Sequence, residues 1–323
     1  MDDREKIVVI GAGALGTLFA GMLVRNGCDI AVIERDEDRV HAIRENGLII
    51  EADDATTTVV AASIDSDPRV IGHADIIMLF VKAYDTGDAV RSIETIITED
   101  TAVVTLQNGL GNVEQIAQVV HQECIVAGTT AHGAHLLGPG RVRHAGRGDT
   151  VIGPLVPEGS ERAEKVAAIL CSAGIPVLRS DAVMSVIWSK LLINAAINPL
   201  TALMGVPNGM VVQNRYLCDI VQNIIDEITR VADREGISIV FDDPFAKVEE
   251  VASATSRNIS SMLQDIRNKR RTEIDYINGA VVAWGLKNNV PTPYNRMMVE
   301  MVKAMEAVIG VRSANNDKNI QHT

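Results

Sequence analysis

Lys190, Asn194 and Asn198 recur at i, i+4 and i+8 within the otherwise aliphatic stretch 184–199. They therefore form a narrow polar stripe along one face of a helix, and Pro199 is expected to end or kink that helix. A lysine that snorkels to solvent beside two loop-bonded asparagines would be the plainer explanation. A surface helix, however, carries a broad polar face, and amides among so many aliphatics need partners. The stripe favours a lysine facing a cleft, with amides to orient it and a substrate. A second polar set lies at 260–279, where Ser261 and Asp265 share a helical face and Thr272 falls near it. From spacing alone, a long solvated helix explains this set equally well.

Near the N-terminus, Gly11-Ala12-Gly13-Ala14-Leu15-Gly16 follows the apolar run 7–10 and opens the amphipathic stretch 14–26. G-x-G-x-x-G says little in isolation, but a buried strand before it and a helix after it make it a dinucleotide turn. The first glycine permits the tight turn, the second lets the backbone approach a pyrophosphate, and the third lets helix and strand pack closely. The helix N-terminus offers amide donors and partial positive charge to the phosphates. At the end of the next strand, Glu34 suits a ribose 2′-hydroxyl and favours NAD, whereas Arg35 suits a 2′-phosphate and favours NADP. Both could equally be solvated loop charges. Asn108 and Lys82 each follow a strand's carboxyl end, the ligand-facing edge of such a sheet, although an Asn-Gly turn and a solvated lysine explain them as well. His132, His135 and His144 lie among glycines without acidic or thiol ligands, so no metal site is expected.

These residues need a scaffold, and the pattern supplies two. Residues 1–178 alternate short apolar strands with amphipathic helices, which reads as a doubly wound parallel sheet of the Rossmann type. The segment 51–68 is read as an excursion at its edge. Residues 179–311 carry helical periodicity at 181–198, 214–235, 257–288 and 294–309, and form an all-helical domain. The polar stretch 312–323 is expected to fray.

Composition narrows the function classes. The 323 residues carry a net charge of -12 and only ten aromatics, which argues against nucleic acid. No apolar run looks long enough to cross a bilayer, and the mixed-charge start Met1-Asp2-Asp3-Arg4-Glu5-Lys6 is neither signal nor transit peptide. Four scattered cysteines fit reduced thiols in a cytoplasm. Apolar faces in the helical half are compatible with a homodimer.

The chain resembles the ketopantoate reductase family over nearly its whole length up to about residue 311. The matching segments are 11–16, Val81-Lys82-Ala83, Gln107-Asn108-Gly109, 188–194, 197–202, 260–265 and, most specifically, Thr272-Glu273-Ile274-Asp275-Tyr276-Ile277-Asn278-Gly279. The resemblance implies a C-terminal domain like that of 6-phosphogluconate dehydrogenase and NADPH-dependent reduction of ketopantoate to pantoate, on the route to coenzyme A. It makes Lys190 the general acid, with Asn194 and Asn198 orienting it and binding substrate. Ser261 and Asn108 would bind the substrate and its carboxylate, Glu273 would accept from a substrate hydroxyl, and Lys82 would lie near the cofactor. Arg35 falls where the family binds the 2′-phosphate, so NADP is expected. Glu34 departs from a usually neutral position and leaves NAD open. Reduction of another branched 2-oxo acid, or a catalytically silent dinucleotide sensor, are the competing readings. Retention of Lys190, Asn194, Ser261 and Glu273 argues against a sensor.

Overall fold

A computed structural model describes residues 5–52 and 57–311. The chain divides into two compact units, Met1–Gln107 with Gly111–Val186, and Asn108–Leu110 with Ile187–Thr323.

The first unit is α/β. Its strands are β1 (Lys6–Ile10), β2 (Asp29–Ile33), β3 (Leu48–Glu51), β4 (Thr57–Val60), β5 (Ser63–Asp65), β6 (Ile76–Leu79), β7 (Ala102–Thr105), β8 (Ile125–Thr130), β9 (Gly133–Gly138), β10 (Arg141–Gly146), β11 (Thr150–Pro154) and β12 (Val177–Arg179). Eight of them form one sheet in the order β12-β11-β8-β7-β6-β1-β2-β5. The run from β8 to β5 is parallel, while β11 pairs antiparallel with β8 and carries β12 parallel to itself. The sheet is thus mixed at one edge rather than parallel throughout.

Alternation along each central strand sends side chains to opposite faces, and each face has its own helices. Ile7, Val9, Met78 and Val104 pack with Leu18, Phe19 and Leu23 of α1 (Ala14–Arg25) in one core cluster. After α2 (Glu37–Asn46), helices α3 (Thr86–Ser92) and α4 (Asn112–Ile116) contribute Val90 and Ile116 to the opposite cluster with Val8, Ile10, Ile77 and Val103. Helix α5 (Ser160–Ser172) returns to the first face through Val166 and Leu170. Both faces of the strands are therefore covered, which is why they read as continuous apolar runs. Strand β1 lies between β2 and β6, so the turn after it sits at the reversal of strand order.

A second sheet, ordered β4-β3-β10-β9, was not apparent from sequence. Its members are weakly patterned: on β10 only Val142 is fully buried, and β9 has no buried residue.

The second unit is helical: α6 (Val183–Met204), α7 (Met210–Gln213), α8 (Arg215–Arg234), α9 (Pro244–Ala254), α10 (Ser261–Arg267), α11 (Asn278–Lys287) and α12 (Pro293–Val308). The division from the first unit falls inside α6, after Val186, rather than at 178. The reason is that Ser180 and Val183 lie directly against Gly153 of β11. The periodic stretch 257–288 is two helices, not one. Lys269 adopts a left-handed φ of 52° just after α10 and stops it. The stretch 312–323 lies outside the described residues.

Two expectations about α6 need correction. Its 22 residues, with a mean hydropathy of 1.3 over the best window, are long and apolar enough to cross a membrane by length and composition. The apolarity has another cause: 67% of that window is buried in protein. Pro199 does not end the helix either, since α6 continues to Met204.

Candidate active site

The glycine turn is tied down on both sides. Gly11 has a left-handed φ of 95° and donates its N–H to the Ile33 carbonyl at 2.8 Å. A Cβ on Gly16 would overlap the Gly11 carbonyl oxygen, so only glycine allows α1 to approach β1 this closely. A Cβ on Gly13 would meet nothing nearer than the Phe80 carbonyl at 3.9 Å, which leaves that side open to a phosphate. Gly13 is also the N-cap of α1 and brings no capping side chain. Ala12, Ala14 and Leu15 complete the turn, which fits a pyrophosphate: open backbone, a helix N-terminus, and a position at the switch in strand order.

Glu34 and Arg35 are adjacent but differently disposed. Glu34 is buried, and its carboxylate accepts from the Ala12 N–H at 2.9 Å, the Asp36 N–H at 3.1 Å and the Arg39 guanidinium at 2.6 Å. It thereby stitches the glycine turn to the end of β2. Arg35 projects outward, 72% exposed, and is clasped by both carboxylate oxygens of Asp85 at 2.9 Å each. Asp85 attracted no notice in the sequence, because nothing there reveals that the stretch after β6 comes back beside the end of β2.

Lys82 caps the short turn Ala83–Asp85. Next to it, Gln107 donates to the Val81 carbonyl and to Thr86 Oγ, both at 2.8 Å, and so binds the ends of β6 and β7 together. Asn108 follows this edge in sequence. Asn108–Leu110 belong with the helical unit, where the Leu110 N–H donates to the Tyr276 carbonyl at 2.8 Å. Gly109 has a left-handed φ of 86°, and a Cβ on it would overlap that carbonyl. The Asn-Gly pair is therefore a turn, as its composition suggests, but one that carries Asn108 to the unit of Lys190.

Within that unit, Lys190 is half-buried on α6. Burial pushes its ammonium down to about 8 from 10.5, while the carboxylate of Glu273, itself buried, pulls in the opposite direction. Asn194 is half-buried and Asn198 buried on the same stripe. Glu273 lies between α10 and α11, so the interruption of the expected long helix is what brings it within electrostatic reach of Lys190.

The second polar set divides. Ser261 is exposed at the first turn of α10, whereas Asp265 and Thr272 are buried. The buried serine is Ser260, which caps α10 by accepting from the Leu263 N–H at 3.1 Å and accepts from Thr201 Oγ at 2.7 Å. Ser260 and Thr201 were not singled out in the sequence, although Ser260 three residues before Leu263 is an N-cap signal. Asn278, Asn295 and Glu227, all buried, were missed too.

His132 and His144 form a stacked pair with Nδ1 and Nε2 2.9 Å apart, and His135 lies on β9. Among the described residues no three His, Cys, Asp or Glu side chains gather in a way that could hold a metal ion.

Residues 7–157 match the family described as "Ketopantoate reductase PanE/ApbA", and residues 182–306 match "Ketopantoate reductase PanE/ApbA C terminal". The chain belongs to the ketopantoate reductase family. It is an oxidoreductase that works with a nicotinamide dinucleotide. A 2-dehydropantoate 2-reductase of Halobacterium salinarum is 35% identical over 298 residues, 92% of this chain and 98% of the relative. A ketopantoate reductase structure from Ralstonia eutropha superposes with a TM-score of 0.87 at 33% identity, covering 94% of this chain and 99% of its own. A D-mandelate dehydrogenase in ternary complex with NADH and anilino(oxo)acetate superposes with a TM-score of 0.91 at 32% identity, covering 95% and 100%.

Proposed function

We propose that this chain reduces ketopantoate to pantoate with NADPH, supplying pantothenate and coenzyme A synthesis. The observation that carries this reading is the placement of half-buried Lys190 on the amide-bearing face of α6, within electrostatic reach of the buried Glu273. When bound, the dinucleotide supplies a hydride to carbon 2 of the oxo acid.

In this reading the protein contributes position and a proton. The turn Gly11–Gly16 holds the pyrophosphate, Lys82 lies near the cofactor, and Arg35 exchanges Asp85 for the 2′-phosphate. Glu34 holds the turn in shape. Asn108, Asn194, Asn198 and Ser261 hydrogen-bond the substrate and its carboxylate, and Glu273 accepts from a substrate hydroxyl. The Lys190 ammonium donates to the 2-oxo oxygen and stabilises the negative charge that develops there as carbon 2 is reduced. The proton passes to that oxygen, giving the hydroxyl, and Lys190 is left neutral until solvent reprotonates it. A pKa near 8 suits a donor that must be charged at neutral pH yet give up its proton.

Following absorbance at 340 nm with ketopantoate tests this reading. Oxidation of NADPH is expected, and binding of the dinucleotide without oxidation would overturn it. A second reading, a different bulky 2-oxo acid reduced with NADH, is supported by the likeness to D-mandelate dehydrogenase and by the engagement of Arg35 with Asp85. Running the 2-oxo acid of mandelate and NADH in parallel separates the two.

We place the enzyme in the cytoplasm, where its cysteines, all unpaired, would stay reduced. We also propose a homodimer that covers the exposed Met297, Met301 and Val308 of α12.

A further inference from the structure

Helix α6 continues through a proline, and something must make good the bond that proline removes. In an α-helix the carbonyl of residue i accepts from the N–H of residue i+4. For Ala195 that donor would be residue 199, and Pro199 has none. A buried, unpaired carbonyl is costly, and Ala195 is fully buried. The missing donor is a side chain. Asn278 Nδ2, at the first turn of α11, donates to the Ala195 carbonyl at 3.2 Å.

Asn278 is itself held. Its Nδ2 also donates to Asn295 Oδ1 at 3.0 Å, and Asn295 Nδ2 donates to Glu227 Oε2 at 2.8 Å. Glu227 accepts in addition from the Tyr294 N–H at 2.9 Å and the Asn295 N–H at 3.0 Å, fixing the first turn of α12. Asn278 and Asn295 are 0% exposed and Glu227 is 1% exposed. One dry chain of hydrogen bonds therefore runs from α8 through α12 and α11 to a single carbonyl on α6. That carbonyl lies in the turn between Asn194 and Asn198.

We propose that Asn278 is a positioning residue. By replacing the hydrogen bond that Pro199 cannot make, it fixes the α6 turn that carries the two substrate amides. The inference rests on the reading of Asn194 and Asn198 as substrate-binding groups. It makes Pro199 part of the device, because a residue with an N–H at 199 would satisfy Ala195 locally and leave α6 unfastened from α11 at this point. The bonds to Ala195 and Asn295 are both made by the Asn278 Nδ2, while its Oδ1 is buried without a hydrogen-bond partner among the described residues. The amide is held from one side, and small displacements of a binding group are expensive in rate.

The test is a cycle of Asn278→Ala, Pro199→Ala and the double variant. Asn278→Ala is expected to lower kcat/KM for the 2-oxo acid by about 10- to 100-fold, the scale of a misplaced binding group. Its dinucleotide Kd should stay within about twofold, since the glycine turn belongs to the other unit; this separates positioning from general damage. In the Pro199→Ala background, where Ala195 regains a backbone donor, the Asn278→Ala loss should shrink at least about fivefold. Independent losses that simply multiply would overturn the proposal, as would a Kd that worsens in step with kcat/KM. Asn278→Ser serves the same cycle should the alanine variant not fold. Thermal midpoints recorded on the same four proteins report the Asn278–Pro199 coupling without reference to activity. If ketopantoate is not a substrate but the midpoints couple, the functional reading fails and the hydrogen-bond replacement stands. If ketopantoate is reduced and neither readout couples, only the positioning role fails.

Discussion

At the residue scale, the chemistry turns on what surrounds each charge. Lys190→Ala removes the proposed acid and should lower kcat by about 10²–10⁴, the usual scale for general acid catalysis. A rate near that of the natural enzyme would exclude the assignment. Because the ammonium must be charged to act, kcat/KM is expected to fall as pH rises through about 8. The same depressed value has a consequence for stability. Below about 8 the folded protein holds a partly desolvated charge at a cost; between about 8 and 10.5 the unfolded chain binds the extra proton, so this group's contribution improves as pH rises. Lys190→Met should therefore stabilise the protein at pH 7, by roughly 1–3 kcal/mol, with the gain disappearing above pH 10.5. Urea denaturation across that range measures it. Glu34 and Arg35 show the opposite lesson, since equal-looking neighbours have unequal roles. Asp85→Asn frees Arg35 and should raise the NADPH-to-NADH ratio of kcat/KM about two- to fivefold, the worth of an exposed ion pair. In an Arg35→Ala background that substitution should have no effect on the ratio.

At the scale of elements, short helices with good caps carry much of the site. Helix α10 begins at Ser260, whose hydroxyl serves the Leu263 amide and Thr201 together. Ser260→Ala should destabilise the protein by about 1–2 kcal/mol, seen as a lower thermal midpoint, while leaving dinucleotide affinity unchanged. The break between α10 and α11 matters more than either helix. A continuous helix over 257–288 would place Glu273 by helical register alone, whereas the left-handed Lys269 and the turn after it bring Glu273 near Lys190. Helix α6 shows why hydropathy misleads for isolated segments. Most of its apolar window is buried in protein, and the stripe Lys190, Asn194 and Asn198 supplies the proposed chemistry.

For the whole molecule, the two units divide the labour: one presents a dinucleotide turn on a sheet, the other the proposed acid and amides on helices. Saturating dinucleotide at about 100 times its Kd should stabilise the binding unit by about 2.7 kcal/mol. The Lys190→Ala protein should show the same shift, because its glycine turn is intact; loss of the shift in that variant would contradict the division. Sedimentation at several concentrations tests the dimer, and Met301→Glu is expected to shift it towards monomer.

Much of this was legible in the amino-acid order. The glycine turn, the alternation of strands and helices, the all-helical second half and the Lys190–Asn194–Asn198 stripe are local patterns, continuous apolar runs and a 3.6-residue period, that survive without a partner. The small sheet was hidden because two of its strands, β9 and β10, bury too few side chains to leave a period. Asp85, Thr201, Asn278, Asn295 and Glu227 were hidden for a different reason. Each acts on a residue far away in the chain, and a polar residue bound for a dry interior looks in sequence like one bound for water. The sequence by itself determined that a dinucleotide turn and an amide-flanked lysine exist. Only the tertiary structure decided that Arg35 meets Asp85, that Glu34 faces inward, and that a carbonyl orphaned by Pro199 finds its donor on another helix, because long-range hydrogen bonds have no sequence period.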